Sequence, residues 1–379
     1  MFRTLLHHPR KIRLRRALFQ IHLWVGVLLS VYIAVIGLSG SVIVFEEEYR
    51  HAALRGYQYD PAQVAPLADV LERARAAALP GESVYYVMAP SKAVPVYSIY
   101  LHGGTRGRRM LMAEATSGAL AAEQRRTFMD WMKDLHVYLL MGERGFIINC
   151  IAGMGLLVLA LTGAVLWWPG VRLWMRGFVI SLRHGWKRIN LNTHYAVGIW
   201  TLFIVSWWGM TAIYFLLPAK TAAVVNRISR IEGMRAPVAV PDAGFNSLAD
   251  VGAMLREAQR LVPQGTLSGV GLPEVAGKPV TVYVDTGRPG DFSHRDINTF
   301  DGHTGRLLTV WHYGVNRTAG DWFLWLMQPL HFGTAWGLAV KIVWALLGLS
   351  LPVLSVTGLV MYWNRYLGKR WAVVRAVRR

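Results

Sequence analysis

The sequence predicts an α-helical membrane protein with four transmembrane helices arranged as two parallel helix–loop–helix repeats, and two small periplasmic α+β modules in the loops. Three observations carry that reading. Of the 379 residues 54% are hydrophobic, too many for an ordinary soluble domain, while 17% are charged, too many for a chain wholly inside a bilayer. Four apolar stretches, near 17–45, 146–168, 194–217 and 336–363, reach the roughly 20 residues that a crossing needs. The first pair of stretches also shares residues, at equal spacing, with the second pair.

The charges set the expected topology. The net charge of +19 looks like a nucleic-acid footprint until it is placed. Residues 1–16, 169–193 and 364–379 hold 17 Lys and Arg and no acid, and the remaining basic residues nearly balance the 22 acids. That is a positive-inside pattern, so both termini and the 169–193 loop are expected in the cytoplasm and no nucleic-acid partner is expected. The first stretch is too long for a signal peptide, lacks an A-x-A site and is followed by Glu46, Glu47 and Glu48, so an uncleaved anchor is expected. The single cysteine, Cys150, excludes a disulfide framework, a cysteine-ligated iron–sulfur cluster and CxxCH haem attachment.

The repeat is read from unlike residues at matched offsets. His22-Leu-Trp-Val-Gly26 corresponds to His194-Tyr-Ala-Val-Gly198, and Gly37 and Gly209 each follow their histidine by 15 residues. His136 precedes Gly163 and Trp168 by 27 and 32 residues, as His331 precedes Gly358 and Trp363. Two units in the same orientation imply a two-fold axis along the membrane normal. The loops repeat more weakly: helices over 66–78 and 247–261, strands over 95–100 and 279–285, then the turns Thr116-Ser117-Gly118 and His303-Thr304-Gly305. The expected order is a basic tail and first span over 1–45, a module over 46–135, a ligand segment and span over 136–168, and a basic loop over 169–193. The third span (194–217), a second module (218–330), a second ligand segment and span (331–363) and a basic tail (364–379) follow.

Four of the 12 histidines, His22, His136, His194 and His331, hold equivalent repeat positions at or before span starts. An ionisable group at membrane depth is a functional candidate by default. Helix direction places His22 and His194 toward the cytoplasm and His136 and His331 toward the far side. Two repeat-related pairs on opposite faces suit two bis-histidine haem b groups, whose six-coordinate iron favours electron transfer over oxygen chemistry. Copper or zinc is the competing chemistry, although the spans offer no acids to complete such a site. Gly26 and Gly198, one turn after their histidines, leave room for a porphyrin. Gly37 and Gly209 fall near the opposite leaflet and the other cofactor, and Gly163 and Gly358 near the cytoplasmic one; helix packing accounts for such residues equally well. His312 is a further candidate for the far site. Arg16 and Lys187 on one side and Arg144 and Arg317 on the other are candidate haem-propionate partners.

No cytoplasmic segment exceeds about 25 residues, and no dinucleotide fingerprint or P-loop is present. Electrons would therefore come from a membrane quinol or a separate cytoplasmic reductase. No Ser/His/Asp or H-E-x-x-H set argues for hydrolysis.

The basic N-terminus, the His22-Leu-Trp-x-Gly start, the Thr162-Gly163 and Thr357-Gly358 spans and the paired α+β loops resemble the PepSY-associated transmembrane family across nearly the whole chain. Within it the chain is similar to inner-membrane ferric-siderophore reductases. That resemblance implies a di-haem oxidoreductase of the bacterial inner membrane that reduces Fe(III) held by a hydroxamate siderophore in the periplasm, with His22, His194, His136 and His331 as iron ligands. The alternative is a non-redox, membrane-anchored PepSY module for binding or assembly in iron uptake or peptidase regulation.

Overall fold

The computed structural model describes residues 13–104, 109–124, 126–171, 173–233, 249–273, 279–287 and 293–368. Most of the two basic tails, Arg172 and the start of the 247–261 helix lie outside them. In chain order the helices are α1 (Arg13–Ile43), α2 (Glu46–Ala53), α3 (Leu67–Ala76), α4 (Phe128–Tyr138), α5 (Gly142–Trp167), α6 (Trp186–Leu216), α7 (Pro218–Ile228), α8 (Val251–Leu261), α9 (Ala319–Phe332) and α10 (Leu338–Tyr362). The strands are β1 (Glu82–Met88), β2 (Val96–Gly103), β3 (Arg109–Glu114), β4 (Leu120–Gln124), β5 (Thr266–Gly271), β6 (Val280–Asp285), β7 (Arg295–Phe300) and β8 (Leu307–Tyr313). The chain divides into a helical unit (1–45, 128–221, 330–379) and a mixed unit (46–127, 222–329).

In the helical unit, α1, α5, α6 and α10 are long and apolar enough to cross a membrane. The shortest, α10 with 25 residues, is about 37 Å long against a hydrocarbon core of about 30 Å. Large apolar side chains such as Leu28, Val31, Phe203 and Leu346 point outward, as a lipid-facing surface requires. The closest seams join α1 to α10 and α5 to α6. At the first, a Cβ on Gly37 would lie 2.7 Å from the Gly348 carbonyl oxygen, so only glycine fits. Pro352 has no N–H for that carbonyl, which lies four residues earlier. At the second seam a Cβ on Gly209 would lie 2.7 Å from the Leu157 nitrogen. Gly37 and Gly209 are thus helix-packing residues, one of the two readings the sequence left open.

Two boundaries differ from expectation. Helix α6 begins at Trp186 rather than near His194, because Lys187, Arg188 and Leu191 are good helix formers and extend the helix ahead of the apolar stretch. The 136–168 segment is broken, with His136 on α4 and the span on α5. Leu139 and Leu140 between them take positive φ (50° and 60°), and Gly142 follows at 61°. His331 likewise sits at the end of a separate helix, α9, followed by Gly333 at φ 66°. The turn folds the end of α4 back onto its span, where Asn149 Nδ2 donates to the His136 carbonyl at 2.7 Å. At the C-terminal end of α5, the Arg15 guanidinium donates to the carbonyls of Val165, Leu166 and Trp168, as basic side chains do at helix C-termini.

The mixed unit corrects the expectation of two separate modules. All eight strands form one antiparallel sheet in the order β4-β3-β2-β1-β5-β6-β7-β8. Each loop contributes a four-stranded meander, and β1 pairs with β5, Val87 opposite Val270, to fuse them. Fusion covers two strand edges that would otherwise expose unpaired backbone groups. Helices α3 and α8 cover one face, where Val70, Leu71, Ala74, Met254, Leu255 and Ala258 pack with Val87, Ile99, Val270, Val282 and Phe300 in a continuous core. Gly118 and Gly305 close the two predicted turns at φ 64° and 71°, the left-handed region that favours glycine.

Candidate functional site

The four repeat-related histidines all lie in the helical unit, in two pairs. The rings of His22 on α1 and His194 on α6 have centres 6.4 Å apart and planes at 87°. Those of His136 on α4 and His331 on α9 also have centres 6.4 Å apart, with planes at 65°. Two imidazoles on opposite sides of one metal, bound through nitrogens at about 2.0–2.1 Å, have ring centres about 6.4 Å apart. Both pairs therefore match the span of a bis-imidazole metal centre.

Each ring is anchored through Nδ1 to a hydroxyl on another helix. The His22 contact is Thr162 Oγ1 at 3.0 Å, and the His194 contact is Thr357 Oγ1 at 2.9 Å. His136 meets Ser39 Oγ at 3.0 Å, and His331 meets Thr211 Oγ1 at 2.6 Å. The backbones beside His136 and His331 are held as well. Asn149, itself accepting from Tyr32 OH at 2.6 Å, binds the His136 carbonyl. Trp208 Nε1 donates to the His331 carbonyl at 3.2 Å, and Trp344 Nε1 donates to that of Leu330 at 2.8 Å. The rings of Phe215 and Phe332 flank His331 with centres at 5.2 and 5.5 Å.

The surroundings bear on what such a centre holds. Among the described residues no group of three or more His, Cys, Asp or Glu gathers around a common point, so each pair offers two nitrogens and no third protein donor of those types. Zinc and copper sites ordinarily recruit three or four protein ligands. Two opposed imidazoles alone suit an iron whose other four positions a porphyrin fills. A Cβ on Gly26 would meet Leu159 at 3.6 Å and one on Gly198 would meet Leu354 at 3.8 Å, ordinary contact distances at which a small side chain fits. A Cβ on Gly163 would lie 3.2 Å from the His22 ring, tighter than ordinary contact, so this glycine lets its span close behind the imidazole; one on Gly358 would lie 3.5 Å from that of His194, in ordinary contact.

His312 lies on β8 in the mixed unit, where its Nδ1 meets Asp296 at 2.8 Å. Lys187 Nζ sits 5.8 Å over the Trp186 ring, and the Arg317 backbone donates to Asp321. Sequence reading missed Ser39, Thr211, Asn149, Trp208 and Trp344. One signal was available for the first two: Ser39 and Thr211 are related by the offset that relates His22 to His194.

No protein of curated function matches the chain. Residues 19–365, which take in all four spans and all four paired histidines, match the family described as the PepSY-associated TM region, and the chain belongs to that family.

Proposed function

We propose that the protein is a b-type transmembrane cytochrome in which His22 and His194 hold one haem b and His136 and His331 hold a second. It carries electrons across a bacterial inner membrane from the cytoplasmic side to a ferric siderophore in the periplasm. The observation that supports this is the doubled imidazole pair, 6.4 Å between ring centres at both positions, with every Nδ1 anchored. When bound, haem supplies one-electron exchange at a six-coordinate iron.

The chain's own residues supply position and environment. The histidines fix two points along the bundle, and two short steps cross a core of about 30 Å more readily than one. Gly26 and Gly198 keep the chain free of side-chain bulk one turn from His22 and His194, and the apolar spans exclude water. The basic segments set the direction, with His22 and His194 toward the cytoplasmic donor. That donor is a membrane quinol or a cytoplasmic reductase. The acceptor takes one electron, Fe(III) becoming Fe(II), and hard hydroxamate oxygens hold the reduced ion far less tightly. A quinol donor releases two electrons and two protons and so serves two chelates. No general acid or base is needed at the acceptor.

An absorption spectrum of the purified protein, before and after dithionite and with a pyridine haem assay, tests the reading. Two haem b per chain are expected, and His136→Ala or His331→Ala should remove about half the absorbance, as loss of one of two sites implies. A folded but colourless protein would sink the redox reading and leave the non-redox membrane module. A His331→Ala variant with full haem and full chelate reduction would refute the assignment of the outer pair.

A further inference from the structure

We propose that Ser39, Thr162, Thr211 and Thr357 are positioning residues that set the proton of each paired imidazole on Nδ1 and leave Nε2 facing the partner ring. The inference rests on the bis-imidazole reading above and deepens it. It starts from the protons of the hydroxyls. Thr162 Oγ1 donates to the Val158 carbonyl at 2.7 Å, and Thr357 Oγ1 to that of Val353 at 2.7 Å. Ser39 Oγ donates to Val35 at 2.8 Å, and Thr211 Oγ1 to Trp208 at 2.7 Å. A hydroxyl has one proton, and in each case the helix carbonyl takes it. The oxygen can then only accept from the ring, so Nδ1 carries the hydrogen. A neutral imidazole with its hydrogen on Nδ1 has its lone pair on Nε2, which is the form that ligates a metal.

Back-bonding of Ser and Thr to their own helix is ordinary in membrane spans, and Thr201 and Ser206 do so as well. The four hydroxyls singled out differ in having their lone pairs turned onto a histidine nitrogen. Their distribution is regular. The ring on α1 is held from α5, and the ring on α4 from α1; the ring on α6 is held from α10, and the ring on α9 from α6. Each half of the chain thus braces its own two imidazoles, while each site is assembled from both halves. A neutral hydroxyl is also a milder acceptor than a carboxylate. It orients the ring without drawing the proton away, so the ligand stays an uncharged imidazole.

The test is a set of isosteric substitutions read by potentiometry on the purified full chain. Thr162→Val or Thr357→Val should raise the midpoint potential of the inner haem alone, because an imidazole that keeps only its backbone partner, Leu159 for His22 or Leu354 for His194, is a weaker donor to Fe(III). Thr211→Val should do the same to the outer haem. Thr→Ser at each position should restore the wild-type potential, which a loss of packing would not allow. Val variants with full haem content and unchanged potentials would overturn the proposal. If a Val variant does not fold, Thr→Ala at the same position supplies the comparison. If the chain purifies without haem, ¹⁵N NMR of labelled histidines reads the ring protons directly. Four imidazoles protonated on Nδ1 would sustain the positioning role while the haem reading failed, and protons on Nε2 would end both.

Discussion

Asp321, near the start of α9, commits both carboxylate oxygens to backbone. Oδ1 accepts from the N–H groups of Glu232 and Gly233 at 2.9 Å, and Oδ2 from those of Arg317 and Thr318 at 3.1 Å. Burial works to raise its carboxyl, but the four N–H groups outweigh burial and hold it below the ordinary value of 3.8. A depressed folded-state value makes the stabilisation complete above the unfolded value, and it is lost as pH falls through the folded one. Asp321→Asn puts an amide N–H₂ against two N–H donors and should cost about 1–3 kcal/mol. Thermal unfolding in detergent should show that loss at pH 7 and a much smaller one near pH 2.5; equal stability at pH 7 would refute the role. At this scale the histidines were legible because ionisable groups are rare in apolar spans and recur at one offset. The hydroxyls were not, since a Ser or Thr bonded to its own helix looks alike in sequence whether or not its lone pair meets a ring.

Two kinds of glycine separate at the scale of helices. Gly37 lies where α1 and α10 touch, and a Cβ would also stand 2.7 Å from Leu351 Cβ and 2.9 Å from Pro352 Cδ. Gly37→Val should therefore force the helices apart and cost about 1–3 kcal/mol, the range for overpacking, whether or not a cofactor is present. Gly26→Val sets its added bulk toward Leu159, 3.6 Å from a Cβ, and should leave the haem-free fold intact; if His22 and His194 hold the proposed haem, it should lower haem content at that pair. Paired melting curves and haem assays on the two variants decide this. Gly37→Val with wild-type stability would refute the packing role, and Gly26→Val with full haem would show that the space beside His22 is not the cofactor's. The spans themselves were legible from length and hydropathy. The break between α4 and α5 was not, because Leu139 and Leu140 give no sign in sequence of positive φ. The fused sheet was hidden for a related reason: strand alternation marks β1 and β5 as strands but does not name their partners.

At the scale of the whole molecule, the two halves of the chain meet twice. In the helical unit each half supplies one imidazole to each pair. In the mixed unit each half supplies four strands, joined at β1 and β5. Neither half contains a complete pair, so, if the pairs hold haem as proposed, cutting the chain in the 169–185 loop should give fragments that bind no bis-histidine haem alone. Co-expressed, they should copurify with both haems. A low-spin haem on either fragment by itself would contradict the pairing. The swap of ligands between halves carries a further consequence. An arrangement in which two like pieces each complete the other's binding sites is that of a homodimer, and a single gene can enforce it by fusing two copies. Once fused, the copies are free to diverge. One ring can keep a serine where its counterpart has a threonine, and aromatic side chains can gather around His331, so that two like pairs come to differ in what they touch.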